Sequence, residues 1–316
     1  MSQVVLITGC STGIGRDLAR RLAQAGYQVA ATARRVETLA DLPAALKLPL
    51  DVTRPASIQK AVECTLEQFG HIDVLVNNAG YSVFGAAEEI SDPLLQGMFD
   101  VNVFGMLRMV RAVVPVMRAQ RSGRVINISS IVGKLVTPAN GAYAASKFAV
   151  EALSDALRLE LEPFGIRVVL VEPGSVKTHF ADAAQAKAQA ILANPSSPYR
   201  ALYRKFQQVN ASMRQGEAEP EAVSRVIQQA IEAPRPKARY IAGFSFSGRL
   251  VIGLRDFLWE PVVRQMFRIA PEEADLVYPG ADLTGSNTNL SGPGANPSGS
   301  GAKLPGSMER TQLGGR

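Results

Sequence analysis

Short β-branched runs alternating with longer helix-type segments are the feature that most narrows how this chain folds. The runs "VVLIT" (4–8), "QVAATA" (28–33), "IDVLVN" (72–77), "GRVINIS" (123–129) and "IRVVLVE" (166–172) read as strands buried on both faces of a parallel sheet. "LKLPLD" (46–51) and "ARYIAG" (238–243) are weaker strand candidates. Between strands lie segments such as "GIGRDLARRLAQAG" (13–26) and "ASIQKAVECTLEQFG" (56–70), each closing on a glycine just before the next strand, as a helix C-cap does. Alternation of this kind implies βαβ units and an α/β fold with a doubly wound sheet.

The pattern loosens after about residue 180. Residues 181–215 read as two irregular helical pieces around "NPSSP", followed by a helix at 219–233 and the last strand candidate. The organisation expected is a domain over 1–245, a helical extension over 246–280 and a tail over 281–316. The tail contains "GSNTNLSGPGANPSGSG", which cannot bury enough surface to order itself and is expected to be disordered.

Composition excludes several function classes. Cys10 and Cys64 cannot form a disulfide framework, and their spacing suggests no metal site, so a reducing compartment is expected. "MSQVVLITG" has no basic n-region, and no run of about 18 apolar residues occurs. A cleaved signal and a spanning helix are therefore not expected, and a cytoplasmic location is. The net charge of +6 comes from 34 basic and 28 acidic residues that are scattered, with no basic block interleaved with aromatics. Nucleic acid is not an expected partner; an anionic cofactor needs only two or three of those charges.

"TGCSTGIG" (8–15) joins the first strand to the first helix. Gly9, Gly13 and Gly15 let the backbone turn tightly and approach a pyrophosphate, with Ser11, Thr12 and Ile14 in the same loop and the helix N-terminus facing the charge. The first glycine gap is wider than in G-x-G-x-x-G, so the loop alone is a weak signal. Dinucleotide sites usually read the ribose at the end of the second strand, where an acid suits NAD(H). Here that strand ends "ATARR", and Arg34 and Arg35 suit a 2′-phosphate, so NADP(H) is expected in preference to NAD(H). Arg16, at the start of the first helix, stands close enough in sequence to help. These arginines also suit a solvated loop, and for Arg35 both readings stay open.

From about residue 3 to 243 the chain resembles the short-chain dehydrogenase/reductase family, in its shorter-form branch. The resemblance rests on an ordered set: "TGCSTGIG" (8–15), "DV" (51–52), "NNAG" (77–80), Asn102, "NISS" (127–130), "YAASK" (143–147) and "PGSVKT" (173–178). It implies a Rossmann-type, seven-stranded parallel sheet in the order 3-2-1-4-5-6-7 with helices on both faces. It also implies a catalytic Asn102, Ser130, Tyr143 and Lys147, with Ser130 thirteen residues before the tyrosine. Strand alternation turns Ser129 the other way, into a structural place. By the same resemblance Asp51 and Val52 meet the adenine, and Asn78, Ala79 and Gly80 lie near the cofactor while Asn77 supports the sheet. Pro173, Gly174, Val176 and Thr178 belong to the loop at the nicotinamide end. Members are often dimers or tetramers through the helices holding Asn102 and Tyr143, so a homo-oligomer is expected.

The chemistry agrees with that set. Hydride transfer to a carbonyl leaves negative charge on oxygen, which must be polarised and protonated. Tyrosine can supply the proton, but its reference pKa is about 10, and a cation one helical turn away favours the phenolate. The i, i+4 spacing puts Lys147 on the same helix face as Tyr143. Ser130 would hold the substrate oxygen beside the phenol. Asn102 lies in "FDVNVFG", inside an apolar helix where a polar residue needs a reason. The resemblance implies that it holds a water linking Lys147 to solvent; a helix-bending or surface asparagine is the other reading. The resemblance also has Lys147 grip the nicotinamide ribose. His71 reads as a turn residue, and His179 follows Thr178.

Around the expected cleft the side chains are apolar: Val83, Phe84, Ile131, Val132, Leu135, Val136 and Phe180. A hydrophobic alcohol or ketone is the expected substrate, and the chain is reminiscent of the branch holding 17β-hydroxysteroid and retinol dehydrogenases. A 3-oxoacyl-carrier-protein reductase, which would need a basic docking surface, is the alternative. A non-catalytic NADP-sensing regulator would typically lack the tyrosine or lysine. Residues 246–270 read as a pocket lid or dimer contact, with Pro261 in the first turn of a second helix. The competing reading is an amphipathic segment giving weak membrane association.

Overall fold

The computed structural model describes residues 2–243 and 255–268, with the backbone alone at 255–260. Residues 244–254 and 269–316 lie outside it, and with them both ends of the expected extension and the whole expected tail.

Seven parallel strands run β1 (Val4–Ile7), β2 (Gln28–Ala33), β3 (Leu46–Pro49), β4 (Val74–Asn77), β5 (Gly123–Ile128), β6 (Ile166–Pro173) and β7 (Arg239–Ala242). Their order is 3-2-1-4-5-6-7, as the resemblance implied. β1 pairs with β2 on one side and β4 on the other, so the winding reverses there and opens a crevice at the carboxyl ends of the strands.

Why the central strands are largely apolar is visible at β1, all of whose residues are buried. Val5 and Ile7 pack with Leu18 and Leu22 of α1 (Gly13–Gln24) and Val223 and Ile227 of α8 (Pro220–Glu232). Leu6, pointing the other way, packs with Ile58 of α2 (Pro55–Phe69) and Met109 and Val113 of α4 (Met106–Gln120). α2 begins on a proline and stops at Gly70, whose φ of +78° turns the chain while its N–H reaches Leu66 O at 2.8 Å.

Three segments differ from the sequence expectation. The stretch after 180 forms two regular helices, α6 (His179–Leu192) and α7 (Arg200–Arg214). Each buries only a narrow stripe, Ala184 and Ala188 of α6 with Tyr203 and Phe206 of α7, against Val83 and Phe84. So thin a stripe leaves little periodic signal. α9 (Arg255–Met266) is one helix with Pro261 inside it, not a break followed by a new first turn. Pro261 is exposed there, and Val263, Met266 and Phe267 beyond it pack on the α6–α7 cluster, so burial on that side outweighs the loss of one backbone hydrogen bond. Finally, Asp100–Gly105 is π-helical, between α3 (Asp92–Phe99) and α4. Among the described residues, no helix is long and apolar enough to cross a membrane.

Arg124 shows how the sheet holds its helices. From β5 its guanidinium donates to the carbonyls of Ala230 (2.5 Å), Ile231 and Ala233 (2.9 Å) at the end of α8, where orphan acceptors and the negative end of the helix dipole collect. Arg124→Met keeps the apolar stem and removes these donors. It is expected to lower the unfolding free energy by about 1–3 kcal/mol in urea denaturation.

Candidate active site

The loop after β1 is held from two sides. Gly9 and Gly13 have φ of +75° and +60°, a region closed to most other residues. At Gly15 a Cβ would lie 2.4 Å from Asn78 Nδ2 and 2.5 Å from Gly9 O, so only glycine allows the contact. The Thr8 hydroxyl accepts from the backbone N–H groups of Asn78 and Ala79, both at 3.0 Å. Asn78 Nδ2 donates to Thr8 O at 2.9 Å and Gly9 O at 3.0 Å. Asn78 thus spends its amide on the loop itself. On the other side a Cβ at Gly13 would come within 3.0 Å of Thr178 Cγ2, which brings the segment after β6 against the loop.

This cradle fits an anion. Thr12 precedes α1 in extended conformation and makes no side-chain cap bond to described residues, so first-turn N–H groups of α1 stay open toward the crevice. Ile14 packs into the core, and the Cys10 thiol, buried beneath, is pushed up to about 12 by that burial.

Around the expected adenine end, Arg34 and Arg35 are exposed just beyond β2. Arg16 is already engaged: it donates to Ser11 O at 3.3 Å and Thr38 O at 2.8 Å and pairs with Asp41. It therefore braces the 38–41 turn against the loop. Asp51 Oδ1 accepts from Thr53 N at 2.9 Å and Thr53 Oγ1 at 2.7 Å. Burial raises this carboxyl, but the Thr53 bonds and the charges of Arg34 and Arg54 outweigh it and leave the pKa lowered. Val52 is buried against Gly105, where a Cβ would fall 2.7 Å from Val52 Cγ2.

Beyond β6, which ends at Pro173, Gly174 N donates to Ala242 O at 2.9 Å. Val176 forms an isolated bridge with Ala218. The Thr178 hydroxyl caps α6 by accepting from Phe180 N at 3.2 Å.

Asn102, Ser130, Tyr143 and Lys147 converge from three elements. Tyr143 and Lys147 share α5 (Gly141–Leu161), with the Lys147 ammonium 5.7 Å from the Tyr143 ring centre. Ser130 begins the turn after β5; its hydroxyl accepts from Val132 N at 3.3 Å, donates to Pro173 O at 3.4 Å and lies beside the Tyr143 phenol. Asn102 is 3% exposed in the π-helical turn. Its Oδ1 accepts from Tyr81 N at 3.0 Å, and its Nδ2 donates to Tyr81 O at 2.9 Å and Ser146 Oγ at 3.0 Å. Gly80 permits this, since a Cβ there would lie 3.1 Å from Asn102 Oδ1 and 3.8 Å from Lys147 Nζ.

Burial governs both titrating groups. It raises the Tyr143 phenol above its ordinary value, against the opposing Ser130 bond. It also pushes the Lys147 ammonium down to about 8, against the opposing charge of Glu151. The i, i+4 spacing predicts a phenol eased toward ionisation by the lysine; desolvation of the buried phenol dominates instead. Lys147 Nζ donates to Ile128 O at 2.8 Å. A cavity with about 10 Å³ of room for the centre of a water molecule adjoins it, lined by Thr8, Asn77, Asn102, Asn127 and Lys147 among others. One water needs roughly 10–15 Å³ on that measure.

The remaining expectations separate clearly. Asn77 donates to Asn127 Oδ1 at 2.9 Å between β4 and β5. Val83, Phe84, Ile131 and Leu135 are buried and Val132 is half-buried, whereas Val136 is exposed. Phe180 is partly open, its ring 5.6 Å from that of Tyr143. His179 is exposed beside Asp182, and His71 lies in a turn 3.2 Å from Asp73. Sequence reasoning gave no role to Thr8, Ser146, Glu151 or Tyr203. Thr8 and Ser146 stood inside quoted motifs, and Glu151 follows Lys147 by four residues. Tyr203, whose hydroxyl accepts from Ala86 N at 3.0 Å, had no such signal.

Residues 3–189 match the model of the short chain dehydrogenase family. Among curated proteins, the chain is 36% identical over 268 residues to 17-beta-hydroxysteroid dehydrogenase type 1 of Homo sapiens, covering 80% of this chain and 81% of that protein. It is 43% identical over 180 residues to 3-ketodihydrosphingosine reductase of Bacteroides thetaiotaomicron, covering 57% of this chain and 66% of the reductase, just under two thirds of its length. A solved short chain dehydrogenase/reductase from Burkholderia phymatum, in complex with NAD, matches 85% of this chain and 97% of its own, with TM-score 0.68 and 28% identity.

Gly15→Ala must displace either Asn78 or the Gly9 carbonyl. A fluorescence titration with NADH and with NADPH is expected to register the loss of most coenzyme affinity, with the far-UV circular dichroism unchanged.

Proposed function

The chain belongs to the short-chain dehydrogenase family, whose members are oxidoreductases acting on hydroxyl and carbonyl groups with nicotinamide coenzymes, and from that premise we propose that it is an NADP(H)-dependent enzyme interconverting a hydrophobic alcohol and its ketone or aldehyde. The observation that carries this reading is the meeting of the Tyr143 phenol with Ser130 and the buried Lys147 ammonium beside an anion-fitting loop.

The coenzyme, when bound, supplies or takes up the hydride. As carbonyl oxygen gains charge, the Ser130 hydroxyl donates to it and Tyr143 gives it the phenolic proton, completing the alcohol. Burial keeps that proton on Tyr143 until the substrate oxygen demands it. Lys147 stabilises the phenolate left behind, and its place beside the cavity suits return of the proton through a water. Asn102 acts in this scheme by holding Tyr81 and Ser146, and so the wall of that cavity. Running the steps backwards oxidises an alcohol, with Tyr143 as base.

The NADP(H) preference rests on Arg34, exposed where the ribose is read and close enough to lower the Asp51 pKa. The substrate class rests on the Phe180 ring beside that of Tyr143 and on the apolar cluster of Phe84, Tyr203, Phe206 and Phe267. The activities in the names of the two curated relatives, on a hydroxysteroid and on ketodihydrosphingosine, agree with a lipid-like molecule. We propose further that the chain is a homo-oligomer through the helices carrying Asn102 and Tyr143, where Phe104 is 50% exposed.

Tyr143→Phe is expected to abolish NADPH oxidation against a panel of steroids, retinoids, aliphatic ketones and acyl thioesters while NADPH still binds; undiminished turnover sinks the assignment. Arg34→Ala is expected to weaken NADPH binding by roughly tenfold or more with NADH little changed, the loss of one charge-assisted contact. Because Lys147 is charged below about pH 8 and neutral above it, kcat/KM for reduction should be level below that pH and fall as pH rises through it.

A further inference from the structure

One turn beyond Lys147 on α5 stands Glu151, 7% exposed and unused by the scheme above. Its Oε2 accepts from Arg239 Nε of β7 at 3.1 Å. The same guanidinium pairs with Asp155 at 2.5 Å and lies 3.3 Å from Glu172, a wholly buried carboxylate on β6 that also pairs with Lys134 at 2.9 Å. The Ser129 hydroxyl approaches Glu151 from the turn after β5, and both it and Glu151 Oε1 are buried without a hydrogen-bond partner among the described residues. Gly133 makes room for this meeting: a Cβ there would stand 2.9 Å from Ser129 Oγ, 3.1 Å from Glu151 Cγ and 3.3 Å from Lys147 O.

Stability alone does not call for a charge at Glu151. Buried ion pairs are often no better than apolar packing of equal volume, and Arg239 keeps two other carboxylates without it. Burial and the neighbouring Glu172 charge both raise the Glu151 pKa. Lys147, for its part, donates to a neutral carbonyl, that of Ile128, so its countercharge has to come from elsewhere.

We propose that Glu151 is a positioning residue for the reaction: it supplies the negative charge that keeps the buried Lys147 ammonium protonated at neutral pH, and Arg239 holds its carboxylate where it can do so. The groups facing this pair are Tyr143 and Asp155 on α5, Ser129 and Lys134 from the turn after β5, Glu172 on β6, Arg239 on β7, and neutral Asn102 from the π-helical turn. Of the two influences on Lys147, burial drives the proton off and Glu151 opposes it. With the carboxylate gone, burial acts unopposed. This inference rests on the catalytic role proposed for Lys147.

The test uses the full chain labelled with ¹³C at lysine Cε and titrated by NMR without coenzyme, the Lys147 resonance being identified by its absence from Lys147→Arg. Glu151→Gln should lower the Lys147 midpoint by about one pH unit, and the alkaline limb of kcat/KM should move down with it. Glu151→Asp should recover part of the shift. Glu151→Met serves the same purpose if the glutamine variant does not fold. An unchanged Lys147 midpoint in a folded variant overturns the proposal. The titration needs no turnover, so it reads the Glu151–Lys147 coupling even if Tyr143→Phe proves active and the reductase reading falls.

Discussion

The Lys147 ammonium, 6% exposed, is held out of water by the carboxyl end of β5 below it, the Tyr143 ring beside it and the cavity lined by Asn102 and Asn127. Removing a charge from water is expensive unless the surroundings replace the lost hydration. Much of the local architecture serves that replacement. Ile128 offers a carbonyl, Glu151 a negative charge, and the cavity room for a water. Gly80 and Gly133 are places where a side chain would push these partners away.

The π-helical turn at Asp100–Gly105 is how the helix between β4 and β5 meets those demands. Such turns commonly occur at functional sites because the widened coil reorients one residue without ending the helix. Here Asn102 pairs with both backbone groups of Tyr81 and, across to α5, with Ser146, whose hydroxyl donates to Tyr143 O at 2.7 Å. One amide therefore ties the segment after β4 to the turn of α5 that carries Tyr143. Gly105 completes the fit by letting Val52 approach.

The glycine loop after β1 and the α6–α7 pair are likewise joined. Ser175 and Lys177 bond Glu217 and Glu219 at 3.1 Å each, the backbone pairs at Val176 and Ala218, and Arg214 of α7 reaches Asp182 of α6 at 2.9 Å. These contacts flank Thr178, whose methyl packs on Gly13 of the loop after β1. Movement of α6 or α7 is thus mechanically connected to the segment expected to meet the nicotinamide.

The apolar runs pointed to five buried strands, two weaker candidates and a doubly wound α/β class, because a strand buried on both faces writes its environment into consecutive residues, while the seven-strand order came from the resemblance. The ordered motifs were equally legible: loop glycines report backbone angles, and the Tyr143–Lys147 spacing reports a shared helix face. What only the tertiary structure decided is which polar groups remain available. Asn78 and Arg16 were legible as residues near a cofactor, yet long-range bonds engage both. Asn102 meets Ser146 across 44 residues and Glu151 meets Arg239 across 88, distances over which periodicity carries no information. Burial then reversed the simplest electrostatic expectation for Tyr143, because desolvation depends on everything packed around a group and no local spacing records it.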